Sequence, residues 1–268
     1  MKKVLITGHK GYIGQHLWKM IEQTRPDIEL TGLDINSPHS REYHDIRTTI
    51  KCDTEFHTII HLAALVRVGE SVKKPSEYYV TNVFGTLGML SQIKHHNFIF
   101  ASTGAAAAPD SPYGFSKRVA EDIVKEWAYN YTIFRFYNVI GADGFEPTNP
   151  EGILLNLLKS EKDGFNLFGD DYNTKDGSCV REYVHVNDIC ASIIKAIDEP
   201  ANSIENLAYG DTRTVKEIID IYKKVNNVKF KVNVLPRRTG DLEACYLENP
   251  SKYMVQKYSY EEMLKLKL

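Results

Sequence analysis

The chain has 268 residues, of which 43% are hydrophobic and 25% are charged, and its formal net charge is −2. These values are typical of one large α/β domain or of two smaller lobes. The weak charge argues against a nucleic-acid partner, and the apolar runs have the length of strands, so we expect no membrane span. The 4 cysteines have no metal-ligand spacing, so we expect the protein to lie in the reducing cytoplasm and to have no metal site.

A glycine-rich turn follows the first predicted strand, at 3–7. The turn reads GHKGYIG, and an amphipathic stretch at 15–23 comes directly after it. In this order of strand, turn and helix, glycines let the backbone approach a pyrophosphate, and the helix N terminus attracts its charge. We therefore predict a dinucleotide cradle whose candidate contacts are Gly8, Gly11, Tyr12, Ile13 and Gly14.

An acidic residue, Asp34, closes the second predicted strand, at 29–33. It lies about 20 residues beyond the glycines, where a carboxylate can bind the adenosine ribose hydroxyls and would repel a 2′-phosphate. This favours NAD over NADP, although Lys10 in the turn could instead meet a phosphate. We also expect a brief strand at 43–46, where Asp45 either bonds the adenine amine or is a turn residue. Its neighbour Ile46 is a further candidate contact.

Three more strands are predicted at 58–64, 97–101 and 132–136. Ligands in open parallel sheets bind beyond the carboxyl ends of the strands. The small residues that end the first of these strands would let a flat cofactor approach the backbone, and Thr103 would present a hydroxyl after the second. The candidate cofactor contacts at these ends are Leu62, Ala63, Ala64, Ala101 and Phe136.

The segment YGFSK, which begins at Tyr113, reads as the start of a long helix because Ser111 and Pro112 precede it. Tyr113 and Lys117 are four residues apart and so lie on one helix face. A free tyrosine with a pKa of about 10 is a poor base, but a nearby ammonium favours its phenolate. A tyrosine pKa lowered by about three units would allow proton abstraction from a sugar hydroxyl near pH 7. The alternative is an ordinary tyrosine beside a surface lysine.

Further elements are predicted from the same patterns. A long helix at 76–95 carries Asn82 in its middle, where an amide is unfavourable unless it has a partner. In the second half, helices are expected at 152–160, 186–197, 214–226 and 258–268, with Thr214 as an N-cap. Short strands are expected at 167–168 and 231–235.

Several blocks occur in order along the chain: GHKGYIG, HLAAL from His61, VGESVKKPSEYYVTNVFGT from Val68, NFIFAST from Asn97, YGFSK, and RFYNVIGA from Arg135. Together they resemble the extended short-chain dehydrogenase/reductases. The block from Val68 is similar to the UDP-galactose (UDP-hexose) 4-epimerases. The second half agrees through FGDDYNTKDGSCVREYVHVND from Phe168 and RRTGDLEACY from Arg237.

This resemblance implies an α/β fold, a Rossmann-type doubly wound parallel sheet with a smaller C-terminal substrate-binding lobe. It implies an NAD-binding domain at 1–140 plus roughly 183–208, and a UDP-sugar-binding lobe at roughly 141–182 plus 209–268. It also implies tightly held NAD and a homodimer formed through the helices at 76–95 and 113–131.

The resemblance implies a catalytic set of Thr103, Tyr113 and Lys117. The base takes the proton of the sugar 4-hydroxyl while C4 passes hydride to NAD, and the flat 4-keto sugar turns over before hydride returns. Thr103 would bond the 4-hydroxyl, and Lys117 would also hold the nicotinamide ribose. Asn82 is a further implied cofactor contact. The implied UDP-sugar contacts, besides Thr103 and Tyr113, are Asn138, Asn156, Leu157, Phe168, Arg181, Arg238, Asp241 and Cys245.

The identity of the sugar depends on Cys245, which lies four residues beyond Asp241. In this family that position faces the C2 side of the sugar, and a small residue leaves room for an N-acetyl group. UDP-GlcNAc and UDP-GalNAc are then substrates as well as UDP-glucose and UDP-galactose. The alternative is that Cys245 is a small buried core residue.

Other functions stay open from the sequence. Gly104 and Ala105 follow Thr103, whereas related dehydratases typically place an acid pair there, which argues against elimination. A UDP-uronic acid epimerase would differ only near C6 of the sugar, and a decarboxylase or reductase would share the same framework. The short segments at 34–58 and 104–112 motivate a non-catalytic nucleotide-sugar-binding protein.

Overall fold

A computed structural model describes residues 1–36, 44–50, 52–238, 242–245, 251–254 and 258–265. Its helices are α1 (Tyr12–Thr24), α2 (Val68–Lys73), α3 (Pro75–Tyr79), α4 (Gly85–Gln92), α5 (Pro112–Trp127), α6 (Ile153–Asp163), α7 (Val186–Asp198), α8 (Val215–Asn226) and α9 (Tyr260–Leu264). Its strands are β1 (Lys2–Thr7), β2 (Ile28–Leu33), β3 (Phe56–His61), β4 (His95–Thr103), β5 (Tyr131–Phe136), β6 (Asn138–Ile140), β7 (Phe165–Phe168), β8 (Val180–His185), β9 (Ser203–Leu207), β10 (Thr212–Thr214), β11 (Val232–Leu235) and β12 (Ala244–Cys245).

The central sheet has the strand order β2–β1–β3–β4–β5–β9. Each neighbouring pair from β2 to β5 is parallel. The chain leaves β1 for β2 on one side and returns to β3 on the other, so the switch point of the sheet lies at the carboxyl end of β1, where the glycine turn begins. The predicted Rossmann-type α/β fold is confirmed.

The core lies on both faces of this sheet, as parallel strands require, since the successive residues Val4, Leu5 and Ile6 point to alternate faces and are each at most 1% exposed. Leu5, Ile59, Phe98, Phe100 and Ile133 come from four adjacent strands, and each is at most 1% exposed. Helix α5 packs on them through Ala120 and Val124, which belong to the same cluster. The sheet is therefore a rigid base for the residues at its carboxyl edge.

The chain divides into two compact units. The first comprises Met1–Phe136 and Cys190–Glu205, and the second comprises Tyr137–Ile189 and Asn206–Leu268. In the second unit, β6 and β12 run parallel to β8, β10 runs antiparallel to it, and β7 pairs with β11. The NAD-binding and UDP-sugar-binding roles of the two lobes stay predictions.

The prediction of one helix at 76–95 is wrong in two respects. A π-helical turn, Val80–Phe84, separates α3 from α4, and the helical segment ends at Gln92. Ile93 is already extended (φ −117°, ψ 123°), and His95 pairs with Phe56 as the first residue of β4. A π turn widens a helix by one residue, which a 3.6-residue periodicity does not reveal.

Three other predicted boundaries move. The strand predicted at 58–64 ends at His61, because its partner Thr7 is the last residue before the glycine turn. The helix predicted to continue to 131 ends at Trp127, because Ala128 is extended and β5 begins three residues later. No strand forms at residues 44–46 of the described chain, and Tyr43 lies outside the described residues.

Two predictions concern the second half. Thr214 is the N-cap of α8 and forms a capping box with Glu217, which confirms its predicted role. The terminal helix is shorter than predicted and covers only Tyr260–Leu264, while 266–268 lie outside the described residues.

Among the described residues, none of the helices combines the length and the apolar character that a membrane crossing requires.

Candidate active site

The glycine turn after β1 is built on two close backbone approaches. Gly8 has a φ of +74°, and a Cβ placed on it would lie 2.8 Å from the Ala63 nitrogen. A Cβ on Gly14 would lie 2.3 Å from the Gly8 carbonyl oxygen. Neither position therefore admits a side chain, and the turn keeps a bare backbone at the switch point of the sheet.

Helix α1 starts within this turn. Its N-cap, Gly11, makes no side-chain capping bond, and the described first turn contains no acidic residue. The N–H groups of a first helical turn lack intrahelical acceptors, and here neither a capping oxygen nor a carboxylate from that turn competes for them. This end of α1, which includes the predicted contacts Tyr12 and Ile13, fits the diphosphate of a dinucleotide.

Asp34 lies beside the turn, just after β2, and is 6% exposed. Its Oδ2 accepts a hydrogen bond from the Lys10 N–H at 2.9 Å, and its Oδ1 accepts one from the Asn36 N–H at 2.8 Å. A carboxylate has about four acceptor positions, so ribose hydroxyls can still bind. The Lys10 side chain is exposed while its backbone approaches Asp34. This arrangement fits the ribose diol of NAD and disfavours a 2′-phosphate.

The predicted adenine contact Asp45 has a partner that the sequence analysis missed. Arg47 donates to it through Nε at 2.9 Å and Nη2 at 2.5 Å, and this pair lowers the pKa of Asp45. Ile46 is buried, and its side chain fills the space that a Cβ on Gly85 would need. An adenine contact from Asp45 would therefore use a carboxylate that is already bound by a guanidinium.

The other predicted cofactor contacts of the sheet lie along its carboxyl edge. The Leu62 N–H donates to the Thr7 carbonyl at 3.1 Å, and the Ala63 N–H donates to the Thr7 hydroxyl at 3.2 Å. Ala64 follows them in the chain. Ala101 precedes Ser102 near the end of β4. Phe136 ends β5, where it is the register partner of Thr103.

Asn82 sits in the π turn and is 1% exposed. Its Nδ2 donates to the Leu65 carbonyl and to the Ser116 hydroxyl, both at 3.0 Å, and its Oδ1 accepts from the Leu65 N–H at 2.9 Å. Both amide hydrogens are thus engaged within the protein. Asn82 ties the segment after β3 to α5, and a cofactor contact from this side chain would have to use the remaining lone pair of Oδ1.

Thr103 and Tyr113 meet, although ten residues separate them. Thr103 ends β4, and its hydroxyl is close enough to the Tyr113 phenol to lower the pKa of that phenol. Tyr113 is held at the start of α5, where the N-cap Ser111 accepts a hydrogen bond from the Gly114 N–H at 3.3 Å. Its ring is 9% exposed and packs edge-on against Tyr78, with 6.3 Å between ring centroids.

The pKa of Tyr113 is raised, so the predicted lowering by Lys117 is wrong. Burial raises it more than the nearby Thr103 hydroxyl lowers it. Lys117 is itself only 3% exposed, and burial lowers its pKa to about 7. At neutral pH such a lysine is only partly protonated, so it supplies only part of a charge to the phenol.

The surroundings of Lys117 are largely uncharged. Its Nζ lies 4.0 Å from the centre of the Phe100 ring. His61 is 1% exposed, and burial followed by repulsion from Lys117 lowers its pKa to about 3, so it is neutral. The His61 ring bridges the hydroxyls of Thr7 at 2.7 Å and Thr86 at 3.1 Å.

A buried carboxylate that the sequence analysis missed lies on the same face of α5. Glu121 is 0% exposed, and it raises the pKa of Lys117. Arg135 and Ser102 both donate hydrogen bonds to it. The available signal was its spacing, since Tyr113, Lys117 and Glu121 recur every fourth residue, together with the arginine of the RFYNVIGA block.

The second unit contains most of the predicted nucleotide contacts. Cys245 in β12 is in register with Arg181 in β8, and Asn138 in β6 donates to the Glu182 carbonyl at 2.9 Å. Three predicted contacts thus come from one small sheet. The Arg181 Nη1 donates to the Val180 carbonyl at 2.8 Å, which orients its guanidinium along the strand.

Arg238 and Phe168 form a second group in this unit. The Arg238 guanidinium stands over the Phe168 ring at 4.5 Å. Its neighbour Arg237, which no prediction assigned a role, donates to Asp171 at 2.7 Å and stacks on Tyr172 at 4.0 Å. Together these contacts hold the tandem arginines against the segment that follows β7.

The remaining predicted contacts are Asn156, Leu157 and Asp241. Asn156 is exposed on α6, and its Nδ2 donates to the Gly152 carbonyl at 2.8 Å. Leu157 is 0% exposed, and its carbonyl accepts a hydrogen bond from the Ser160 hydroxyl, so it offers no exposed surface to a nucleotide. Asp241 lies outside the described residues.

Comparison with known proteins assigns the family. Residues 4–209 match the NAD dependent epimerase/dehydratase family. The chain belongs to this family. It is 32% identical to the UDP-glucose 4-epimerase of Pasteurella multocida strain Pm70 over 298 aligned positions, which cover 91% of this chain and 88% of that protein.

Solved structures of similar proteins share the fold of this family member. The UDP-glucose 4-epimerase of Bifidobacterium longum in complex with NAD+ and UDP matches with a TM-score of 0.84 and 26% identity over 98% of this chain and 96% of that chain. The UDP-Glc/GlcNAc 4-epimerase of Campylobacter jejuni matches with a TM-score of 0.78 and 28% identity over 99% and 97% of the two chains.

The cofactor of this epimerase/dehydratase family member is NAD, and the described residues fit it. The bare glycine turn and the uncapped start of α1 suit the diphosphate, and Asp34 suits the ribose diol. When bound, NAD supplies the hydride chemistry, accepting a hydride from a carbon atom and returning it. Thr103 and Tyr113 can move a proton at a hydroxyl, and Lys117 can hold a positive charge behind them.

Proposed function

We propose that this protein is a UDP-hexose 4-epimerase that interconverts UDP-glucose and UDP-galactose and also UDP-GlcNAc and UDP-GalNAc. The observation that carries the proposal is that Tyr113 and Lys117 are both buried one helical turn apart on α5, with Thr103 at the end of β4 close enough to affect the Tyr113 phenol. The relatives named UDP-glucose 4-epimerase support the same reaction.

The reaction needs a base at the sugar 4-hydroxyl. Tyr113 takes the hydroxyl proton as the C4 hydrogen leaves, and it returns the proton when the hydrogen comes back to the other face of the sugar. The Thr103 hydroxyl lies beside this phenol and can orient the 4-hydroxyl by a hydrogen bond. Lys117, when protonated, favours the phenolate form of Tyr113.

The second unit holds the nucleotide. Arg181 and Arg238 carry planar guanidinium groups that can each bind two diphosphate oxygens. Asn138 and Asn156 offer amide groups for hydrogen bonds to the nucleotide. These contacts do not change during the reaction, so they leave the hexose free to turn over while the nucleotide remains bound.

The turn after Thr103 supports epimerisation over elimination. Gly104–Ala106 forms a 3-10 turn, and its three residues carry no carboxylate. Elimination of water from a sugar needs an acid or base close to the leaving hydroxyl. The residues that directly follow Thr103 cannot supply one, so the site is suited to oxidation and reduction at C4.

Cys245 supports acceptance of N-acetylated sugars. It is half-buried in β12 beside Arg181, one of the proposed diphosphate contacts. A thiol occupies far less volume than an aromatic side chain would, so it leaves room near the sugar. The similarity to an epimerase named for both UDP-Glc and UDP-GlcNAc favours the same range of substrates.

Proton NMR tests the proposed reaction. We expect purified protein to convert UDP-galactose to UDP-glucose and UDP-GalNAc to UDP-GlcNAc, with C4-bound hydrogen retained when the reaction runs in D2O. Activity without added NAD would show that the cofactor is retained by the protein. If neither sugar changes when NAD is present, the proposal fails, and UDP-uronic acids become the next substrates to test.

We propose a homodimer formed through α5 and the helical segment from α3 to α4. Each element exposes an apolar pair four residues apart, Val80 with Phe84 and Phe115 with Val119, and Phe84 is 62% exposed. We expect light scattering to give twice the 30.6 kDa chain mass for the wild type and the chain mass itself for Phe84→Glu. A wild-type protein that scatters as a monomer would refute the proposal.

The location of the protein in a reducing cytoplasm stays a prediction.

A further inference from the structure

Behind the proposed catalytic lysine lies an ion pair that is removed from solvent. Glu121 is 0% exposed, and the Arg135 side chain is 11% exposed. Arg135 donates from Nε to Oε1 at 2.8 Å and from Nη2 to Oε2 at 2.6 Å, and the Ser102 hydroxyl donates to Oε1 at 2.5 Å. The carboxylate is therefore held on both oxygens and cannot rotate.

The sheet register creates this cluster. Ser102 in β4 is the direct partner of Arg135 in β5, and Glu121 reaches both from α5. Lys117 stands one helical turn before Glu121 on the same buried face. The carboxylate is thereby fixed behind Lys117 by two strands and one helix.

The groups that face Lys117 come from three elements. Phe100 on β4 contributes only its ring, His61 on β3 is neutral, and Tyr113 on α5 carries a phenol. Among the described residues, Glu121 is the carboxylate that raises the pKa of Lys117, and Arg135 is the cation bound to that carboxylate. In a buried site an opposite charge one helical turn away favours the charged form of the lysine.

We propose that Glu121 is a positioning residue that keeps Lys117 protonated, and that Ser102 and Arg135 hold Glu121 in place for this purpose. The effect on turnover rests on the proposed function, whereas the effect on the protonation of Lys117 does not. A protonated Lys117 favours the Tyr113 phenolate, so Glu121 acts on the base through the lysine.

The direct test is a pH titration of Lys117 by 15N NMR of protein labelled at the lysine Nζ, with the signal assigned by its loss in Lys117→Met. We expect Glu121→Gln to lower the titration midpoint by about one pH unit, because the favourable charge is lost while Arg135 remains. The matched control is Glu126→Gln, an exposed glutamate on the same helix, which should leave the midpoint unchanged because solvent screens its charge.

Glu121→Gln leaves Arg135 buried without a charged partner, which can prevent folding. A second variant keeps the test decisive in that case. Glu121→Gln with Arg135→Met removes both charges, and we expect a smaller lowering of the Lys117 midpoint. An unchanged midpoint in a folded variant of either kind overturns the proposal. If the midpoint falls but the wild type epimerises no sugar, the positioning role stands and the proposed function fails.

Turnover supplies an independent readout. With the midpoint lowered by about one unit, the protonated fraction of Lys117 above neutral pH falls by about tenfold. We therefore expect Glu121→Gln to lose kcat much more strongly at pH 8 than at pH 6, with little change in KM for the nucleotide sugar. A loss of kcat that is equal at both pH values would indicate a structural role only and would contradict the proposal.

Discussion

Tyr113→Phe is expected to lower kcat for 4-epimerisation by about a hundredfold or more, because it removes the only proposed acceptor of the 4-hydroxyl proton. The ring itself should stay in place, since it is buried against Tyr78 and lies in the first turn of α5. Binding of NAD and of UDP should therefore change little. Losses confined to kcat are the signature of a group that acts in the transition state.

The measurement combines an NMR turnover assay with calorimetric titration of UDP and NAD. The matched control is Tyr129→Phe, which removes a phenol that is 91% exposed just beyond α5 and should leave kcat unchanged. Wild-type turnover in Tyr113→Phe would exclude Tyr113 as the base. Equal loss of NAD binding and turnover would instead indicate that the substitution damages the cofactor cradle.

Gly14→Ala is expected to abolish retention of NAD. A Cβ at this position would lie 2.3 Å from the Gly8 carbonyl oxygen and 2.6 Å from the His9 Cα, and both are backbone atoms that can move only if the turn moves. Alanine in place of a helical glycine normally stabilises by roughly 0.5–1 kcal/mol. Here we expect the opposite sign, with a lower Tm of the cofactor-free protein.

A second glycine in a helix provides the control for this prediction. In Gly88→Ala the new Cβ would meet only the flexible Gln92 side chain at 3.2 Å and one backbone atom of Ile46 at 3.7 Å. We expect this variant to retain NAD and to keep or slightly raise its Tm. Fluorescence titration with NADH and thermal unfolding separate the two variants, and tight NADH binding by Gly14→Ala would show that the turn tolerates a side chain.

The sequence was sufficient wherever a function depends on neighbours in the chain. The glycine turn, the end of β2 at Asp34 and the helix that begins at Tyr113 could all be predicted, because turn chemistry, strand length and helix capping act over a few residues. The meeting of Thr103 with Tyr113 could be predicted as well, because strand ends gather at one edge of a parallel sheet.

Other features could not be predicted because they depend on partners that are distant in the chain. The π turn at Asn82 is compatible with side-chain bonds to Leu65 and Ser116, and neither partner is visible from helical periodicity. The pairing of Asp45 with Arg47 is local, yet the sequence suggested a ligand contact because a carboxylate in a short polar segment has many roles.

The protonation of the site shows the same division. From the sequence alone, the spacing of Tyr113 and Lys117 suggested a lowered tyrosine pKa, since a neighbouring ammonium favours a phenolate. The tertiary structure decided the opposite direction, because it buries both groups, and desolvation disfavours the charged form of each. Helical spacing alone puts Glu121 one turn after Lys117, but the strand register that brings Ser102 and Arg135 together at Glu121 is encoded by no local pattern. Residue types and spacings determined which groups we propose for the chemistry, and burial, which only packing sets, decided their charge.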